Sequence, residues 1–272
     1  MIAFRHDFCH ISTSYNLTIS NIATYPAMRS SSVHFSITSD AAWAPGIETR
    51  EAWLAWAQHG GTTEGSGKPK LQSMAVMQRR RVGMLGKMAL EVAYACLGER
   101  TGVPTIFCSR HGEVSRSVDL LSDLAAGEPL SPTSFGLSVH NAIGGMFSIV
   151  RDDQANHIAL SAGQSSVEHA VVEACGLLND GEKAVLLVVY DCPLPGIYTE
   201  FQDVAEQPFA WAWLIEPPLQ DVMSLSWSEP ASDTIQPSLL TGGLEILRFH
   251  LLQSSLLERR SAKQSWRWSR HA

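Results

Sequence analysis

Residues 157–178 read HIALSAGQSSVEHAVVEACGLL. The run from His157 to Ala162 is mostly apolar and ends at the small pair Ala162-Gly163, followed by Gln164, Ser165 and Ser166. Beyond them Val167, Ala170, Val171, Ala174 and Leu178 recur at i, i+3, i+4, i+7 and i+11, the stripe of an amphipathic helix. Glu168 and Glu173 fall off that stripe. The chain therefore turns sharply from a strand into a helix, and Ser165 or Ser166 can cap the helix start. The first helical N–H groups, with the positive end of the dipole behind them, face residue 164. Such a place lowers the pKa of a cysteine and stabilises an oxyanion. Here it holds an amide, which near neutral pH neither takes up nor releases a proton.

Working outward, the chain alternates strands and helices. VHFSIT (33–38) alternates as a strand, and a Trp-containing helix follows around 48–58. Residues 59–70, HGGTTEGSGKPK, have the composition of a flexible loop. A Met/Ala/Leu-rich helical pattern covers 73–97. PTIFCS (104–109) reads as a buried strand, 115–128 as an amphipathic helix and NAIGGMFSIV (141–150) as a Gly-containing helix. AVLLVVY (184–190) is continuous and β-branched, the mark of a central strand covered on both faces. FAWAWLIE (209–216) and VMSLSWS (222–228) are further strands, a helix lies near 241–257, and Trp266 to Arg270 form a final edge strand or packing segment. The expected fold class is α/β, a layered sheet sandwiched by helices. Residues 1–30 lack periodicity and read as a loose leader, with Met28 a better start for the folded part. Residues 31–272 read as one domain.

Composition narrows the function. A net charge of −7 argues against nucleic acid as the main partner. No apolar run has the length of a membrane span. The five cysteines are scattered and form no CxxC or Cys/His grouping, so a metal site is not expected, and a reducing, cytoplasmic setting fits. Residues 68–87 contain Lys68, Lys70, Arg79, Arg80, Arg81 and Lys87 and no acid. That run is either a solvated basic face or a docking patch for an acidic partner.

SVHNAIGGMFSIV and ANHIALSAGQSSVEHAVVEA together resemble the segment of β-ketoacyl synthases around the active-site cysteine. Asn141, Gly144, Gly145 and Ser148 match its first part. Ala162, Gly163, Ser165 and Ser166 match its second, with Gln164 in the cysteine's place. PTIFCSRHGE, LSPTSFGLSVHNA and the helix from Arg81 to Leu97 are also similar to that family. The resemblance spans roughly residues 33–216 and implies a thiolase-like fold with a shortened C-terminal half. Gln at this position is the mark of chain length factors, the non-condensing partners of ketosynthases in type II polyketide systems. It also marks malonyl-decarboxylating loading domains. The short proteins of aryl-polyene clusters are the most similar.

The resemblance implies a subunit that pairs with an active ketosynthase through the strand His157–Ala162 and shapes the acyl tunnel. It implies an acyl carrier protein as second partner, with its acyl-phosphopantetheine arm as transient ligand and no resident cofactor. Arg79, Arg80, Arg81 and Lys87 would receive the carrier, and His111 would line the pocket rim. The two C-terminal histidines that a working ketosynthase carries in Gly-rich loops have no counterpart, since His250 lies in a helical pattern and His271 beside the last residue. No independent catalysis is expected at Gln164. A polar residue at a strand–helix turn is common in itself, and lone histidines such as His111 and His140 are usually structural. A stand-alone acyltransferase, thioesterase or decarboxylase using Ser165 or Gln164 is the alternative. With Ser165 as nucleophile it would need His250 together with Asp191 or Asp203, and GQSSV lacks the second glycine of a nucleophile elbow.

Overall fold

The computed structural model describes residues 31–63, 65–229, 240–261 and 264–271. The leader expected over 1–30 lies outside them. In chain order the elements are β1 (Ser31–Trp43), α1 (Arg50–His59), α2 (Val76–Arg79), α3 (Met84–Leu97), β2 (Thr105–Cys108) and α4 (Val114–Ala126). Then come α5 (Pro132–Gly136), α6 (Ala142–Arg151), β3 (His157–Leu160), α7 (Ser166–Asn179) and β4 (Val185–Asp191). The chain continues through β5 (Phe209–Glu216), β6 (Val222–Ser228), α8 (Gly242–Leu251), β7 (Leu256–Arg260) and β8 (Ser265–His271).

Among the described residues eight strands form one mixed sheet in the order β3-β2-β4-β5-β1-β6-β8-β7. β2 runs parallel to both β3 and β4, and every other pairing is antiparallel. The period of two divides the core. Val185, Leu187 and Val189 join Trp211 and Trp213 against α7, α8 and α1. Leu186, Val188 and Tyr190 join Ala210, Ala212 and Leu214 against α3 and α6. All seven residues of β4 are buried, as its unbroken apolar run predicts.

The last three strands extend the same sheet. Phe35, Met223, Leu225, Trp266 and Trp268 pack on the face that α8 covers. On the other face His34 and Arg267 are exposed, the one-sided alternation of a half-covered antiparallel sheet. Helices thus sandwich the strands β2, β4 and β5, and cover the extension on one side. β8 is internal, between β6 and β7, so the Trp266–Arg270 segment is not an edge; the polar LLERR of β7 supplies the edge instead.

Two expectations are revised. The helical pattern over 73–97 breaks between α2 and α3, and Arg80 and Arg81 lie in the break. The loop expected over 59–70 is pinned at Thr63. Thr63 is buried, its N–H donates to Gln207 Oε1 at 2.7 Å and its hydroxyl to the Pro208 carbonyl at 2.8 Å. Composition could not show these partners, which lie some 145 positions along the chain.

The start of α8 packs closely on the sheet. A Cβ on Gly243 would lie 2.5 Å from Phe209 Cζ and 3.4 Å from Val189 Cγ1, both in buried side chains. Gly243→Ala is expected to cost about 1–3 kcal/mol by overpacking. The measurement is a urea midpoint at unchanged slope. Gly176→Ala, where a Cβ meets nothing within 4 Å, is the control and should be neutral or slightly stabilising.

Candidate functional site

The parallel strands β2, β3 and β4 deliver Ser109, Ser161 and Asp191 to one end of the sheet, the end where open α/β sheets hold ligands. β3 is the edge strand, and nothing else among the described residues pairs with its outer side. Beyond it the chain turns through Gly163, at φ +60°, and the short 3₁₀ stretch Gly163–Ser165 into α7. A side chain at residue 163 would strain that left-handed turn. Ser166 braces the corner by reaching backward: its hydroxyl accepts the Ala162 N–H at 2.9 Å and donates to the Gly163 carbonyl at 2.7 Å. Neither Ser165 nor Ser166 caps α7 with its side chain, contrary to expectation.

Gln164 stands at the helix origin, as the sequence indicates, and is exposed. Its amide nitrogen donates to Asp203 Oδ2 at 2.7 Å. The same carboxylate receives the Arg110 guanidinium at 2.9 and 3.0 Å. Arg110 also lies 3.8 Å from Glu206 Oε1, which accepts His111 Nε2 at 2.7 Å. Glu206 closes the network by accepting the Leu194 N–H at 2.8 Å. Burial alone would raise the Asp203 pKa, but the Gln164 amide and Arg110 outweigh it and hold the carboxyl below its ordinary range. A polar clamp of Arg110, Asp203 and Glu206 therefore fixes the Gln164 side chain against the loop between β4 and β5. His111 lies on that clamp, half-buried.

Behind the clamp, Asp191 is buried at the end of β4. Its Oδ1 accepts the Ser109 hydroxyl at 2.8 Å and the Arg110 N–H at 2.9 Å. Burial pushes it up to about 6, against the pull of those donors and of His111 and Arg110. His140 Nε2 donates to the Ser109 carbonyl at 2.9 Å, the structural role expected of a lone histidine. No described thiol is activated: burial pushes Cys96 to about 11, Cys175 and Cys192 to about 12, and Cys108 well above the ordinary range.

The remaining sequence candidates divide. Asn141 is exposed at the start of α6 and caps it with no side-chain hydrogen bond. Gly144 allows close approach, since a Cβ there would lie 3.2 Å from Phe107 and 3.3 Å from His157; at Gly145 it would meet nothing. Ser165 is buried and its Oγ accepts the Trp266 indole N–H at 3.0 Å. The Ser165 triad does not form: His250 lies 3.4 Å from Asp40, Asp191 holds Ser109, and Asp203 holds Arg110. Glu168, placed off the buried stripe of α7, is 0% exposed, because Arg259 of β7 covers it as counter-charge. Among the described residues no group of three or more His, Cys, Asp or Glu could hold a metal ion. No described helix is long and apolar enough to cross a membrane.

A family model described as the β-ketoacyl synthase N-terminal domain matches residues 53–269. The chain belongs to the β-ketoacyl synthase family. This ketosynthase-like chain is similar to a chain of the ketosynthase ApeO in complex with its chain length factor ApeC from Xenorhabdus doucetiae, at 27% identity and a TM-score of 0.77. The match covers 87% of this chain and 99% of that one. The ishigamide ketosynthase/chain length factor matches at 12% identity and a TM-score of 0.65, over 87% and 98% of the two chains. A β-ketoacyl synthase from Burkholderia phymatum matches at 12% identity and 0.56, over 84% and 71%. The last two likenesses show the fold. Comparison with curated protein sequences finds no match. The thiolase-like ketosynthase fold anticipated from the corner is the one observed.

The buried Asp191 gives this ketosynthase-like chain a pH signature. Its native pKa of about 6 lies above the unfolded value of about 3.9, so the folded state holds the extra proton in that window. The Asp191 contribution to stability is expected to fall as pH rises from 4 through 6. Denaturant midpoints across that range should show the slope in the native protein and lack it in Asp191→Asn.

Proposed function

We propose that this chain is a non-condensing, chain-length-factor-type subunit that pairs with an active β-ketoacyl synthase and shapes the acyl tunnel of the pair. The observation that carries this reading is Gln164: an amide at the α7 origin, beside the open edge of β3, where the family resemblance puts the reactive sulfur. An amide cannot be acylated and passed on as a thiolate can. The corner keeps a condensing enzyme's shape and lacks its nucleophile. The pairing described for ApeO with ApeC, and for the ishigamide proteins, supports a two-subunit assembly here.

The surface beside the corner is suited to pairing. Among the described residues β3 is paired on one side only, which leaves backbone groups free on the other, and α6 packs against it with Ile149 74% exposed. Phe135, Val139, Leu121 and Leu124, on the α4–α6 segment, are likewise exposed. Large apolar side chains in such number mark an interaction surface. In this reading the partner covers them, and some become tunnel wall. Arg80 and Arg81 are exposed in the break between α2 and α3, with Met77 exposed beside them. An acidic carrier protein bearing the acyl-phosphopantetheine arm would dock there. Arg79 has a guanidinium N–H committed to the Lys70 carbonyl and Lys87 is half-buried, so Arg80 and Arg81 carry most of that role.

Co-expression with a ketosynthase of an aryl-polyene system is expected to raise the soluble yield and give a one-to-one complex in gel filtration. The chain alone should self-associate. A stable monomer that co-migrates with no such ketosynthase would overturn the reading. In the complex, Arg80→Glu with Arg81→Glu should slow carrier association about tenfold or more at low salt, the difference shrinking as salt rises. Surface plasmon resonance at two ionic strengths reads both effects.

A further inference from the structure

The corner is gripped from a second side. Arg259 and Trp266 are cross-strand partners in the β7–β8 hairpin. Arg259 pairs through Nη1 with the Glu168 carboxylate, donates from Nε to Glu245 Oε2 at 2.8 Å, and brings Nη2 to 3.4 Å from the Gln164 carbonyl. Trp266 donates its indole N–H to Ser165 Oγ at 3.0 Å and meets the His169 ring edge-on at 5.2 Å. His169 Nδ1 donates to the Ser165 carbonyl at 2.8 Å. Two side chains of one hairpin thus reach residues 164, 165, 168 and 169, the whole turn from corner to helix.

This grip is costly to build. Glu168 is 0% exposed and its Oε2 has no hydrogen-bond partner among the described residues; the Arg259 side chain is 10% exposed. An apolar pair of similar volume would often be as stable as such a buried ion pair. What the ions add is direction, since a guanidinium fork fixes the geometry of what it binds. The fold also leaves room for the guanidinium at Gly242, where a Cβ would collide with it.

We infer that the C-terminal hairpin is a built-in brace for the corner, with Arg259 and Trp266 as positioning residues that set the attitude at which Gln164 meets the partner subunit. The brace stands on contacts within this chain, whereas its bearing on a partner rests on the pairing reading above.

The test follows backbone amide exchange over residues 161–172 in the full chain by mass spectrometry, with ketosynthase affinity measured in parallel. The variants are Trp266→Phe, Gly242→Ala, and the double substitution Glu168→Met with Arg259→Met. The double variant should keep an unfolding midpoint near the native one, because both buried charges leave together. Its exchange over 161–172 should still rise about tenfold, with β4 peptides unchanged. Trp266→Phe keeps an aromatic ring, smaller than the indole, and loses the N–H, and should raise exchange a few fold. Gly242→Ala leaves every charge in place and should raise exchange by displacing Arg259. If the double variant does not fold, these two single variants decide the outcome. Native exchange in all folded variants would overturn the brace. Faster exchange with undiminished ketosynthase affinity would overturn the positioning role. Faster exchange in a chain whose native form binds no ketosynthase would leave the brace standing and overturn only the pairing reading and what rests on it.

Discussion

Everything in this fold is referred to strand β4. It is buried along its whole length, pairs parallel to β2 and antiparallel to β5, and divides its side chains between the two cores. Its alternate residues bind α7 to one face and α3 to the other. Its last residue, Asp191, orders the turn after β2 by accepting from Ser109 and Arg110. That turn launches Arg110 towards Asp203 and so reaches Gln164. The outward-facing corner is therefore the end of a chain of fixed contacts that begins in the driest part of the sheet.

In the proposed reading, the corner keeps the backbone form of a nucleophile site with an amide in the nucleophile's place. The left-handed glycine, the short 3₁₀ turn and the helix origin are those that would serve a nucleophile. The polar groups around them are committed to one another. Asp203 takes both the amide and the guanidinium, Glu206 takes His111, and Ser165 takes an indole N–H. Arg259 and Trp266 add a second clamp on the main chain. These contacts hold the corner in position.

Much of this was legible in the residues, for physical reasons. The apolar run of β4 and the 3.6-residue stripe of α7 are local signals, and both elements lie where they were expected. The corner was legible because Gly163, the two serines and the flanking periods all change at once. The clamp was not, because Arg110, Asp203 and Glu206 lie up to 96 positions apart and no period links them. Asp203 entered only as a conceivable triad member, and tertiary contact gave it another task. Glu168 misled for a similar reason: a carboxylate off the stripe reads as solvated unless its counter-ion is known, and that counter-ion arrives from β7. The sequence offered no warning of β7 itself, whose residues alternate between exposed and half-buried.

The shortness of β3 has a consequence of its own. Four residues form it, so a strand laid along its free side gains only a few ladder hydrogen bonds. Backbone bonding of that kind is blind to identity, and a second copy of this chain would satisfy it as readily as any other. For such a pairing, discrimination between self and non-self would come from side chains flanking the strand, such as His157 at its start and Arg110 and Gln164 beyond its end. Evolution of a new pairing preference would be expected to leave the sheet untouched and to rewrite those few positions.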